Sequence, residues 1–118
     1  MSRFSKTLLD HARSPRNGGP LPSASAVGKA SLHGRAPYVT IYLDIQDGTI
    51  SQAQFTAFGC GVTIASCSAL TEMLVGRTLD DGRQLGSSDV IAALDEIPPD
   101  KQFCAELAVQ ALRNALSD

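Results

Sequence analysis

The sequence has no tryptophan, two tyrosines and four phenylalanines, too few aromatic rings for a base-stacking surface or an aromatic cage. Long cationic runs are also missing and the net charge is -2, which argues against nucleic acid as a partner, because phosphate-backbone binding depends on clustered cations. No stretch approaches the roughly 20 apolar residues that span a bilayer, and the N-terminal residues lack the apolar core of a signal peptide. A membrane role is therefore not expected, and a cytoplasmic location follows by default. There are three cysteines, an odd number that with no export signal fits reduced thiols better than a disulfide framework. Metal binding, thiol chemistry and plain burial stay open for each.

What is present is ordinary for a globular chain: 118 residues, 43% apolar and 19% charged. That length buries one core without staples, so residues 1–118 are expected to form a single domain.

Phe4, Leu8, Leu9 and Ala12 fall at helical spacing, predicting an amphipathic helix from about Arg3 to Arg13. Ser14-Pro15-Arg16-Asn17-Gly18-Gly19-Pro20 ends it, and the Gly-, Pro- and Ser-rich stretch to about Ala26 reads as a loop. From Tyr38 the pattern alternates, with Val39, Ile41, Leu43 and Ile45 on one side and Tyr38, Thr40, Tyr42 and Asp44 on the other, as in a strand with one buried face. Asp47-Gly48 suits a tight hairpin turn, so Thr49 to Phe58 should return antiparallel; Val27 to His33 is a candidate third strand. The period then becomes helical, with Ile64, Cys67, Thr71, Leu74 and Val75 on one face and Gly76 as cap. Thr78 with Asp80-Asp81, and Ser87-Ser88-Asp89, signal two short helices. After Pro98-Pro99, the residues Cys104, Leu107, Ala108, Ala111, Leu112 and Ala115 form one apolar stripe at spacings of three and four. The order predicts an α+β fold: a small three-stranded antiparallel sheet covered on one face by helices. No dinucleotide or nucleotide fingerprint is present.

The chemically informative point is Phe58-Gly59-Cys60-Gly61, where a strand hands over to a helix. The flanking glycines are expected to let the backbone turn sharply and leave the sulfur accessible, while the free N–H groups of the following helix favour a thiolate. An isolated cysteine at a tight corner is equally readable as a small buried residue. Cys104 opens the last apolar stripe and, on spacing alone, reads as core, although it sits in the first turns of its helix. Cys67 reads as core packing, and His11 and His33 as structural or surface residues. No Ser/His/Asp order, paired carboxylates or Cys-x-x-Cys spacing supports a hydrolase or a zinc ribbon.

These residues in combination resemble the U-type iron–sulfur scaffold family, which includes IscU, SufU and the N-terminal domain of NifU. The resemblance is carried by Ser14-Pro15-Arg16-Asn17-Gly18, by Phe58-Gly59-Cys60-Gly61 with Ile64-Ala65-Ser66-Cys67-Ser68 and Thr71-Glu72, by Gly76-Arg77-Thr78-Leu79, and by Ile97-Pro98-Pro99-Asp100-Lys101 ahead of Cys104-Ala105-Glu106-Leu107-Ala108. It covers nearly the whole chain in order. It implies an IscU/NifU-like domain that is not an enzyme and that holds iron or an iron–sulfur cluster transiently through Cys60 and Cys104, with zinc as another occupant, for transfer to acceptor proteins. A cysteine desulfurase is the implied sulfur-donating partner, and a homodimer is one way of completing the donor set.

The departures fall at the site. Arg35 stands where the family has its first cysteine, Pro37 where it has an aspartate, and Phe103 where some members carry histidine. Two thiolates per chain fall short of the four donors that tetrahedral zinc or a two-iron cluster takes. The Pro-Pro segment resembles the family's chaperone-recognised Leu-Pro-Pro-Val-Lys, but Asp100 replaces its apolar fourth residue, which argues against chaperone docking. These losses motivate a second reading, a non-metallated interaction module that binds a desulfurase or another assembly partner, and the Cys60 thiolate offers a third, a persulfide relay.

Overall fold

A computed structural model of the chain describes residues 3–117. It has the expected α+β order: α1 (Lys6–Arg13), β1 (Ala26–Leu32), β2 (Arg35–Gln46), β3 (Thr49–Phe58), α2 (Gly61–Leu74), α3 (Leu79–Gln84), α4 (Ser87–Ala93), a 3-10 turn (Pro99–Lys101) and α5 (Phe103–Leu116). The three strands form one antiparallel sheet in the order β1-β2-β3.

The alternating strand fixes the sheet's two faces. Val39, Ile41 and Leu43 are buried, while Thr40 and Tyr42 on the opposite side are partly open and Tyr38 is exposed. A register shift between Asp44 and Ile45 breaks the alternation, which leaves Ile45 half-buried rather than in the core. The β2–β3 hairpin turns at Asp47 (φ 54°) and Gly48 (φ 75°), the left-handed pair that a two-residue turn requires.

α2 and α5 cover the buried face of the sheet. α5 comes close to the sheet at Gly28 of β1, where an added Cβ would lie 2.1 Å from the Ala111 carbonyl oxygen and 2.2 Å from the Ala115 nitrogen. Asn114 fastens the same contact by donating to the Lys29 carbonyl at 2.7 Å. α2 is buried on almost every side, from Val62 through Leu74, so it serves as the central helix between sheet and outer helices.

Several boundaries differ from the sequence reading. α1 begins at Lys6 rather than Arg3, because the Ser5 hydroxyl accepts from the Leu8 N–H at 2.9 Å and caps the helix there. Ser5 also donates to the Leu94 carbonyl, tying the cap to the end of α4. α2 ends at Leu74, so Val75 is extended and 48% exposed rather than part of the buried face; Gly76 follows at φ 91°. Thr78 caps α3 as expected, but α4 is capped at Gly86, whose N–H donates to the Asp89 carboxylate at 2.8 Å. His33 sits at φ 52° in the β1–β2 turn. Among the described residues no helix is long and apolar enough to cross a membrane.

Candidate functional site

Cys60 stands between β3 and α2 as the N-cap of α2, and Cys104 is the second residue of α5. Because β3 feeds α2 and α2 packs on α5, these two residues, 44 positions apart, meet with their sulfurs 4.0 Å apart. Cys60 is exposed and Cys104 is fully buried behind it. Both candidate residues are therefore at one place, and Cys67 is sealed in the core as expected.

The glycines at the corner act differently from the expectation of a sharp turn. Neither Gly59 nor Gly61 has a positive φ. At Gly59 the need is proximity: an added Cβ would lie 2.7 Å from the Pro37 Cβ and 2.9 Å from the Thr63 Oγ1. Gly61 has ordinary room, with the Ala12 Cβ at 3.6 Å. Pro37 thus fills space beside the corner, and Arg35, exposed at the start of β2, lies two residues before it. Phe103 packs against the core.

Thr63, which the sequence reading passed over, links the two thiols. Its hydroxyl donates to the Cys104 sulfur at 3.4 Å and lies 3.8 Å from the Cys60 sulfur. Its signal in sequence was its position three residues after Cys60, in the first turn of α2, where the side chain faces back toward the cap.

The thiols differ in acidity. Burial pushes the Cys60 thiol up, but the Thr63 N–H and hydroxyl, the Val62 N–H and the Cys104 thiol outweigh it and leave Cys60 below the ordinary cysteine value. Burial raises Cys104 to about 11, against the lowering effect of the Thr63 hydroxyl and with a further rise from the neighbouring Cys60. Lys101 opposes that rise and lines, with Phe4, Leu8, Leu9, Ala12, Gly61 and Val62, an apolar cleft of about 290 Å³ that opens beside Cys60. Burial drives the Cys67 thiol far upward, so it is inert.

Among the described residues no three His, Cys, Asp or Glu side chains cluster as a complete metal site. His11 is buried and structural: its Nδ1 pairs at 2.8 Å with the Ser68 hydroxyl, which also accepts from the Arg16 N–H at 2.8 Å. The site is thus a pair of soft sulfur donors on rigid elements, one more acidic than an ordinary thiol, with a cation nearby. Two thiolates on one tetrahedral centre with bonds of about 2.3 Å lie about 3.8 Å apart. The observed 4.0 Å fits a two-point grip on one metal ion with two positions left open.

Comparison with known proteins gives a consistent picture. The family model described as the NifU-like N terminal domain matches residues 3–118. The iron–sulfur cluster assembly scaffold protein IscU 1 of Archaeoglobus fulgidus is 35% identical over 115 residues, covering 98% of this chain and 75% of that protein. The IscU scaffold of Escherichia coli is 34% identical over 119 residues, with 98% and 92% covered. Among solved structures, a chain from Fervidobacterium islandicum assigned to cluster scaffolding in the SUF system superposes with TM-score 0.75 at 19% identity, covering 97% of this chain and 96% of that one. A NifU-like N-terminal domain from Brucella abortus gives 0.63 at 22% identity, covering 92% and 76%. At those identities the structural likeness speaks for the fold.

Proposed function

Because the chain belongs to the NifU-like N-terminal domain family, we propose that it is an iron–sulfur cluster assembly scaffold of the cytoplasm, holding iron or a cluster through Cys60 and Cys104 and passing it to acceptor proteins. The observation that carries the reading is the pair of sulfurs 4.0 Å apart at an open cleft. Soft thiolates bind iron tightly. The exposed, acidified Cys60 is the sulfur that engages first, and the buried Cys104 completes the grip once a metal displaces its proton. An occupant held by two protein sulfurs has open positions through which a receiving protein's ligands can enter, which suits release better than a closed four-donor cage.

The chain then contributes ligands and position and catalyses no turnover, in keeping with relatives named as scaffolds. A cysteine desulfurase is the fitting source of sulfide. Neither the site nor the relatives favour a non-metallated interaction module. Anaerobic reconstitution with iron and sulfide tests the reading: visible charge-transfer absorption is expected for the native chain and for Cys67→Ser, and its loss in Cys60→Ser and Cys104→Ser. Zinc in place of iron would leave the protein colourless. A colourless, iron-free product from the native chain contradicts the proposal.

A further inference from the structure

The two sulfurs at the corner are also placed to react with each other. Cys60 is exposed beside the cleft of about 290 Å³, whereas Cys104, with its sulfur 4.0 Å away, is 0% exposed. A small oxidant entering from solvent therefore meets Cys60 and not Cys104. Accessible thiols at a helix N-terminus with a second thiol in reach are the ones that oxidise reversibly. Each sulfur is carried at the start of a helix, α2 or α5, and these two helices pack on each other, so no loop has to be ordered to bring the pair together. A disulfide bond is about 2.05 Å long, and the gap of about 2 Å left to close is less than the swing of one cysteine sulfur between staggered rotamers. Cys60, on the open side, has room to make that swing. Cys67 is 0% exposed and does not compete for the oxidant.

We propose that Cys60 and Cys104 form a peroxide-sensitive modification site, in which Cys60 is oxidised first, Cys104 resolves it, and the resulting disulfide closes the site to metal. In the first step the Cys60 thiolate attacks one oxygen of hydrogen peroxide. The O–O bond breaks, the departing hydroxide takes up a proton to become water, and Cys60 is left as a sulfenic acid. In the second step the Cys104 sulfur gives up its proton and attacks the Cys60 sulfur; the S–O bond breaks and hydroxide leaves with that proton as a second water. Peroxide is the oxidant throughout, and two thiols and one peroxide become one disulfide and two waters. Neither sulfur of the product is a thiolate, so both soft anionic donors are withdrawn together. The link also keeps the exposed sulfur from going on to sulfinic acid, which thiols do not reverse. The loss of metal binding rests on the two-sulfur grip proposed above; the disulfide itself does not.

The metal-free full chain is treated with a small excess of hydrogen peroxide, its remaining thiols are blocked with N-ethylmaleimide in denaturant, and its peptides are read by mass spectrometry. The expected result is a Cys60–Cys104 linked pair of peptides within one chain, with Cys67 blocked. Sulfinic acid on Cys60 beside a free Cys104 thiol, or a link between two chains, overturns the proposal. Cys60→Ser changes an exposed position and should slow the oxidation of Cys104 by about tenfold; an unchanged rate overturns the order of the steps. Cobalt(II) alone, which does not reduce disulfides, then reports on the site. Thiolate-to-cobalt absorption is expected in the reduced chain, about tenfold less of it in the peroxide-treated chain, and its recovery once that chain has been reduced with a phosphine and desalted. Equal cobalt binding by the linked form overturns the closure. A reduced chain that binds no cobalt overturns the two-sulfur grip and leaves the link, read by mass alone, standing.

Discussion

The Thr63 hydroxyl stands between two sulfurs of opposite character, one open and acidified, the other buried and raised to about 11. Iodoacetamide at about pH 8 should therefore alkylate Cys60 first, with Cys104 and Cys67 at least tenfold slower, as peptide mass spectrometry would read. Thr63→Val removes a hydroxyl that lowers Cys60 while leaving the Val62 and Thr63 backbone amides in place. The pH at which Cys60 becomes reactive should move up, slowing its alkylation severalfold at about pH 8. Cys60 was legible in the sequence because glycines bracket it at a strand-to-helix corner. Cys104 was not legible from spacing alone, because a thiol that opens an apolar stripe looks like core, and here it is both core and within 4.0 Å of the Cys60 sulfur. Thr63 carries no motif; its role exists only once α5 is laid against α2.

At the scale of elements, the placement of α5 decides whether the two sulfurs meet. Gly28→Ala would press a methyl into the α5 backbone at Ala111 and Ala115 and should destabilise the fold by about 3 kcal/mol. A lower denaturation midpoint with an unchanged slope is the expected reading. The helix that carries Cys104 would be lifted at the same time. The packing of α1 on α2 depends on His11, whose pKa is lowered first by burial and then by Arg16, against the raising effect of Glu72 and Asp10. Below about pH 6.5 the unfolded chain takes up a proton that the folded chain resists, so stability should fall as pH drops through that window. His11→Gln should flatten this slope in urea titrations between about pH 7 and pH 5, while Asp10 and Asp100, held low by hydrogen bonds from Arg16 and Arg3, act at lower pH. The strands and α5 were readable because alternation and a three-four spacing each have one structural solution. The start of α1 was not, since side-chain capping by Ser5 outweighed the apolar period that the sequence displays.

At the scale of the molecule, the turn signals and the switch in period sufficed to order one sheet under a layer of helices. The meeting of two thiols 44 positions apart is instead a property of that layer as a whole. Arg35 and Pro37, at the start of β2, supply neither thiolate nor carboxylate, so the grip proposed for this chain rests on two protein sulfurs. The direct test is the iron and acid-labile sulfide content of protein isolated anaerobically, compared among the native chain, Cys67→Ser, Cys60→Ser and Cys104→Ser. The expected result is iron with sulfide in the first two and at least tenfold less in the last two; equal iron in all four, or none in the native chain, would contradict it.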